Sequence, residues 1–87
     1  MIYPTIHNNG TSADELISRL IEAYENYNTA LTALRRTTPN ARDYPNDISD
    51  YDFAISEHNN RVNNIRSAMR ELMDIISNIQ HQTEINH

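Results

Sequence analysis

The chain contains no cysteine, no tryptophan, no lysine and one glycine in 87 residues. Each absence removes a class of chemistry. Without thiols there is no disulfide framework, no cysteine nucleophile and no Cys-based metal site. Without lysine there is no Schiff base, no lysine general base and no P-loop, whose phosphate grip also needs a run of glycines. No Ser nucleophile motif and no pair of carboxylates on one buried face replaces them. A non-enzyme is expected, with no cofactor and no catalytic residue. Asp47, Asp50 and Asp52 form an acidic cluster. It lacks the loop glycine and closing glutamate of a calcium loop, so no metal is expected. No run of about 18 apolar residues is present to cross a bilayer. Met1 to Gly10 has neither the basic nor the apolar region of a secretion signal. A cytoplasmic protein with no membrane partner is expected, in the host cytosol if the chain is viral.

What remains is short, polar and acidic. Seven arginines face twelve acidic side chains for a net charge of −5, and asparagine occurs twelve times. A duplex-DNA binder clusters Lys and Arg to neutralise phosphates, so this balance argues against duplex DNA as a partner. It equally suits a chain kept soluble by modest negative charge. A chain of this size buries a marginal core: roughly 25 cal/mol per Å² gained is nearly cancelled by about 1.5 kcal/mol lost per ordered residue. With disulfides and metals excluded, association with copies of itself is the expected source of extra stability.

Two long amphipathic stretches dominate the pattern. Residues 1–11 form an arm punctuated by Pro4 and Gly10. Ser12-Ala13-Asp14-Glu15 is a capping box, in which Ser12 accepts from the amide three residues on and Glu15 reaches back. Ile17, Leu20, Tyr24, Tyr27, Leu31 and Leu34 follow at spacings of 3, 4, 3, 4 and 3, the a and d positions of a heptad. Leu16, Ala23 and Ala30 widen the stripe. The first helix is expected over 12–37, ended by Thr37-Thr38-Pro39. Residues 38–47 carry turn chemistry, and Asp47 can cap the next helix. The second helix, expected over 48–82, places Ile48, Tyr51, Ile55, His58, Val62, Ile65, Met69, Leu72, Ile76 and Ile79 at unbroken heptad spacing. A tail at 83–87 completes the single domain.

Two long helices joined by a short turn lie antiparallel, so the expected fold is all-α, a helical hairpin. Each stripe is three heptad positions wide, where a two-stranded contact uses two. The surplus predicts a four-helix bundle or a larger homo-oligomer. Its seam would contain Tyr24, Tyr27, Tyr51, His58, Val62, Ile65, Met69, Leu72, Ile76 and Ile79. Ile76 and Ile79 would be covered by a neighbour or by the Met1 to Ile6 arm.

His58 is the one polar residue of the long seam. A polar group there commonly fixes register and oligomer state, and a pH switch or a ligand contact is the alternative. His7, His81 and His87 have no i, i+4 partner among them. Tyr24, Tyr27 and Tyr51 suit core packing, or stacking on a base. Two arginine clusters are candidate anion sites. Arg35, Arg36 and Arg42 bracket the turn beside Tyr44, where helix capping and Asp43 also account for them. Arg66 and Arg70 lie one helical turn apart, near Asn59, Asn63 and Asn64. The i, i+4 spacings of Glu57 with Arg61 and Arg70 with Asp74 predict ordinary surface pairs there.

The order of these features resembles the phage anti-CBASS sponge family: a polar arm, Ser12 to Glu15, Ile21-Glu22-Ala23, Ala30-Leu31, a turn of about ten residues, then Ala54-Ile55-Ser56-Glu57 in a longer second helix. The similarity covers about residues 12 to 76. It implies small helical hairpins that assemble into hexamers and sequester the cyclic nucleotides of bacterial immunity. Members of that family hold the ligand with a lysine of the first helix. This chain has none, so the resemblance carries over no binding residue. Two functions are therefore expected as alternatives. One is a phage-type anti-defence protein that sequesters a cyclic nucleotide at oligomer interfaces. The other is an acidic interaction module, an inhibitor, adaptor or structural bundle, that binds a host protein.

Overall fold

A computed structural model describes residues 1–85; Asn86 and His87, the end of the expected tail, lie outside them. The described residues are all-helical. Helix α1 spans Ala13–Arg35 and helix α2 spans Ile48–Ile85, with a short 3-10 turn at Ala41–Asp43 between them. The two long helices pack as an antiparallel hairpin with dimensions of 62 × 20 × 18 Å.

Ser12 starts α1, its hydroxyl accepting from the Glu15 amide at 3.2 Å. The reciprocal half of the expected capping box does not form. Glu15 turns along the helix and pairs with Arg19 one turn on. Helix α1 ends at Arg35, two residues before the expected end. There the backbone tightens, with Arg36, Thr37 and Thr38 amides donating to carbonyls three residues back. Thr37 and Thr38 hydroxyls donate to the Leu34 and Arg35 carbonyls, each at 2.6 Å, satisfying acceptors that a continuing helix would have used.

Asp47 opens α2, its Oδ1 accepting from the Ser49 amide at 3.0 Å. Helix α2 runs to Ile85, three residues beyond the expected boundary, because no proline or glycine follows Pro45 to stop it. It is about 57 Å long against about 35 Å for α1. The excess length is covered at one end by the connecting turn and at the other by the N-terminal arm. Gln82 holds that arm. Its Oε1 accepts from the Ile6 amide at 2.9 Å, while its Nε2 donates to the Pro4 carbonyl and to Asn78 Oδ1, both at 2.8 Å. Ile79 is fully buried and Ile76 nearly so within one chain, so these two side chains are covered without a neighbour.

The core is thin. Leu31, Met69, Ile76 and Ile79 are its buried apolar side chains, and His58 is buried with them. Tyr24, Tyr51, Val62, Ile65 and Leu72 are half-buried along the seam, and Tyr27 is exposed at its edge. Ile48, the first heptad position of α2, is also exposed. A compact monomer of 10.1 kDa exposes about 5,300 Å². This hairpin exposes 6619 Å², an excess of about 1,300 Å² over that scaling value.

Replacing Ile79 with Ala removes the most deeply buried side chain and is expected to cost roughly 2–5 kcal/mol, read as a large fall in thermal midpoint. Ser12→Ala should cost about 1 kcal/mol, a drop of roughly 4–8 °C by circular dichroism. Hydrogen bonds from the Ser49 amide and hydroxyl hold the Asp47 carboxyl below its ordinary value of 3.8. That contribution is complete above the ordinary value and is lost as pH falls below it. Acid titration of Asp47→Asn should therefore show a shallower loss of stability below pH 3.8 than the parent.

Candidate anion groove

The antiparallel pairing brings residues 24 and 31 of α1 across from residues 66 to 74 of α2. Tyr24, Leu31, Arg66, Met69, Arg70, Met73 and Asp74 line an open groove of about 400 Å³. Leu31 and Met69 belong to the buried core and form its apolar floor. Arg66 and Arg70, one turn apart, stand on the α2 wall, and Tyr24 is half-buried on the α1 side. The groove is wide enough for a small ligand and combines an apolar body with a few polar groups, the usual make-up of a small-molecule site.

Its electrostatics favour an anion more than the net charge suggests. The ion pairs among the described residues are Glu15–Arg19 and Glu57–Arg61, the latter at 3.9 Å. Arg70 does not make the expected pair with Asp74; it turns back and donates to Ser67 Oγ at 3.0 Å. Ser67 offers a neutral acceptor close to the guanidinium, and the chain's polar surface is rich in such groups. Arg66 and Arg70 therefore keep their charges uncompensated by ion pairs, with Asp74 as the one carboxylate on the groove wall.

Beside the turn, Tyr44 has other neighbours than the arginines of the second cluster. Tyr44 packs against Tyr51, ring centroids 6.3 Å apart and tilted by 48°. It lines two shallow hollows, one with Thr37, Pro39, Asp50, Phe53, Ala54, Glu57 and Arg61 and one with Ala41, Pro45, Ile48, Tyr51 and Asp52. Neither contains Arg35, Arg36 or Arg42. The turn leads Tyr44 to α2, because Asn40 caps the 3-10 turn through the Arg42 amide and Asp43 closes on the Asn40 carbonyl. Among the described residues no three His, Asp or Glu side chains are placed to hold a metal ion, and no helix is long and apolar enough to cross a membrane.

His58 is 4% exposed, and its Nε2 lies 3.1 Å from Thr38 Oγ1. The single hydroxyl proton of Thr38 is committed to the Arg35 carbonyl. The ring's part in that contact follows its tautomer: an Nε2–H donates to Thr38 Oγ1 where the hydroxyl proton stays on the Arg35 carbonyl. Its Nδ1 is left buried without a partner among the described residues. An unmet buried polar atom costs roughly 1–3 kcal/mol, so His58 serves alignment of the turn against α2 better than it serves stability. It does not line the anion groove.

No protein-family model, curated protein or solved structure matches this chain.

Two measurements check the histidine. Long-range proton–nitrogen correlation spectra at neutral imidazole should show the proton on Nε2. His58→Leu, which removes the unmet Nδ1 and leaves the hydroxyl of the exposed Thr38 to solvent, should raise the thermal midpoint; each 1 kcal/mol gained is worth roughly 4–8 °C.

Proposed function

We propose that this chain is a non-enzymatic, self-associating protein that sequesters a small phosphate-bearing nucleotide, acting stoichiometrically as a phage-type anti-defence protein against a cyclic nucleotide signal. The observation that carries this reading is the groove in which Arg66 and Arg70, free of ion pairs, face Tyr24 over an apolar floor. Guanidinium forks match phosphate oxygens in two-point contacts that remain charged at any physiological pH. A tyrosine ring offers a face to a base, and Leu31, Met69 and Met73 supply apolar contact beside it. No group in the groove is arranged as a nucleophile with a base, so the ligand would be held and not cut. The resemblance to the anti-CBASS sponge family supports the same ligand class.

Self-association is supported by the surface left bare. The excess of about 1,300 Å² over a compact monomer exceeds the roughly 800 Å² per partner of a standard interface. An open groove is also a poor trap by itself, and a second copy placed over it would bury more of the ligand. A second reading, docking of a host protein, is favoured by Phe53, which is 68% exposed beside a hollow lined by Asp50, Glu57 and Arg61. An exposed aromatic in such a rim is the usual anchor of a protein contact.

Isothermal titration against a panel of cyclic di- and trinucleotides should give a binding isotherm without turnover. Arg66→Ala and Arg70→Ala should each weaken it tenfold or more, the loss of a charged hydrogen bond worth roughly 1.5–3 kcal/mol. Arg35→Ala, Arg36→Ala and Arg42→Ala should leave it unchanged. Silence across the panel from folded protein would overturn the nucleotide reading. A denatured sample of the purified protein separates the two functions cheaply. Bound nucleotide raises its absorbance at 260 nm, and there is no tryptophan to mask it.

A further inference from the structure

The N-terminal arm is held on the hairpin much as a peptide ligand would be. Gln82 hydrogen-bonds to its backbone, accepting from the Ile6 amide and donating to the Pro4 carbonyl, and Asn78 accepts from the same glutamine nitrogen. We infer that this seat exchanges arms: Pro4–Ile6 of one copy occupies the Gln82 seat of a second copy lying alongside in the same orientation.

At the seat itself exchange costs nothing, because the incoming segment is identical and makes the same two hydrogen bonds. The hinge permits it. Between Ile6 and Ala13 the arm turns back on one backbone bond, Gly10 amide to His7 carbonyl at 3.1 Å. Straightened, residues 7–12 reach about 20 Å, and the hairpin is 20 × 18 Å across. An arm released from its own seat can therefore extend about the width of one hairpin, towards the equivalent seat of a parallel neighbour.

The driving force lies in what the closed arm leaves bare. Ile2 is 94% exposed, Met1 60% and Ile85, one turn past the seat, 68%. In a side-by-side pair the two arm tips and the two α2 ends gather at one end of the assembly, where they can cover one another. That added burial must outweigh the advantage of closure within a chain, an effective concentration in the millimolar range for a short linker. The inference rests on the self-association part of the reading above and is independent of any nucleotide.

The test uses full-length protein without ligand. Chains labelled with carbon-13 and nitrogen-15 are mixed with unlabelled chains, unfolded and refolded together. Isotope-filtered spectra should then show nuclear Overhauser contacts from the Gln82 side chain of one chain to Pro4 and Ile6 of another. Light scattering should give a dimer or larger. Gln82→Ala should move the mass towards monomer at equal concentration, with helical circular dichroism retained. Contacts confined to single chains within an oligomer overturn arm exchange and leave self-association standing. A monomer overturns both, and an unchanged mass for Gln82→Ala shows that the glutamine is not the clasp and overturns the proposed seat.

Discussion

Two helices side by side can bury only the stripe along which they touch, and nearly every feature of this hairpin follows from that limit. A stripe of heptad positions, three wide on each helix, is offered to a contact that encloses about two. The consequence is a core of four buried apolar side chains, of which Ile79 alone is fully enclosed, flanked by half-buried residues. The same limit produces the groove. Between Tyr24 and Met73 the floor is core and the walls are surface, so apolar and charged groups meet in one place.

A core this thin specifies register weakly, because sliding one heptad exchanges one set of aliphatic contacts for another. Polar contacts at the two ends supply the missing specificity. At the turn, Thr38 and His58 meet across the helix pair. At the other end, Gln82 holds the arm by its backbone. A slide of either helix would break one of them and leave a buried polar group unmet, a penalty that apolar contacts alone do not impose. The bare Nδ1 of His58 is a cost of this arrangement, and a hairpin with a deeper core would have less need to carry it.

The helices were legible because periodicity and punctuation agree along the chain. Unbroken heptad spacing marks both stripes, Ser12 and Asp47 mark both starts, and the prolines bracket the turn. The boundaries moved where local chemistry outside those signals decided them: threonine hydroxyls tightened the end of α1, and the lack of any stop signal carried α2 on to Ile85. The groove was half legible. Arg66 and Arg70 stood out as charges one turn apart, but their companions Tyr24, Leu31 and Met69 read as core, which they also are. Only the antiparallel pairing places residue 24 near residue 70. The Gln82 clasp had no signal at all, since a side-chain amide reading backbone groups 76 and 78 residues away leaves no pattern in spacing.

The absence of lysine takes on a physical meaning in this setting. A lysine ammonium is a compact, strongly hydrated point charge, and holding it beside an apolar floor sacrifices hydration that one phosphate contact only partly restores. A guanidinium is weakly hydrated and planar, so it can lie along Met69 and Met73 while its edge faces an oxyanion. A groove built from core residues, open on one side and only thinly walled, therefore suits arginine better than lysine. Holding an anion there also requires that the arginines stay out of ion pairs in an acidic chain. Arg19 and Arg61 each engage a glutamate one turn away, whereas Arg70 turns from Asp74 to the neutral Ser67 hydroxyl. In a protein with twelve acidic side chains, that choice of partner leaves positive charge available on this wall of the hairpin.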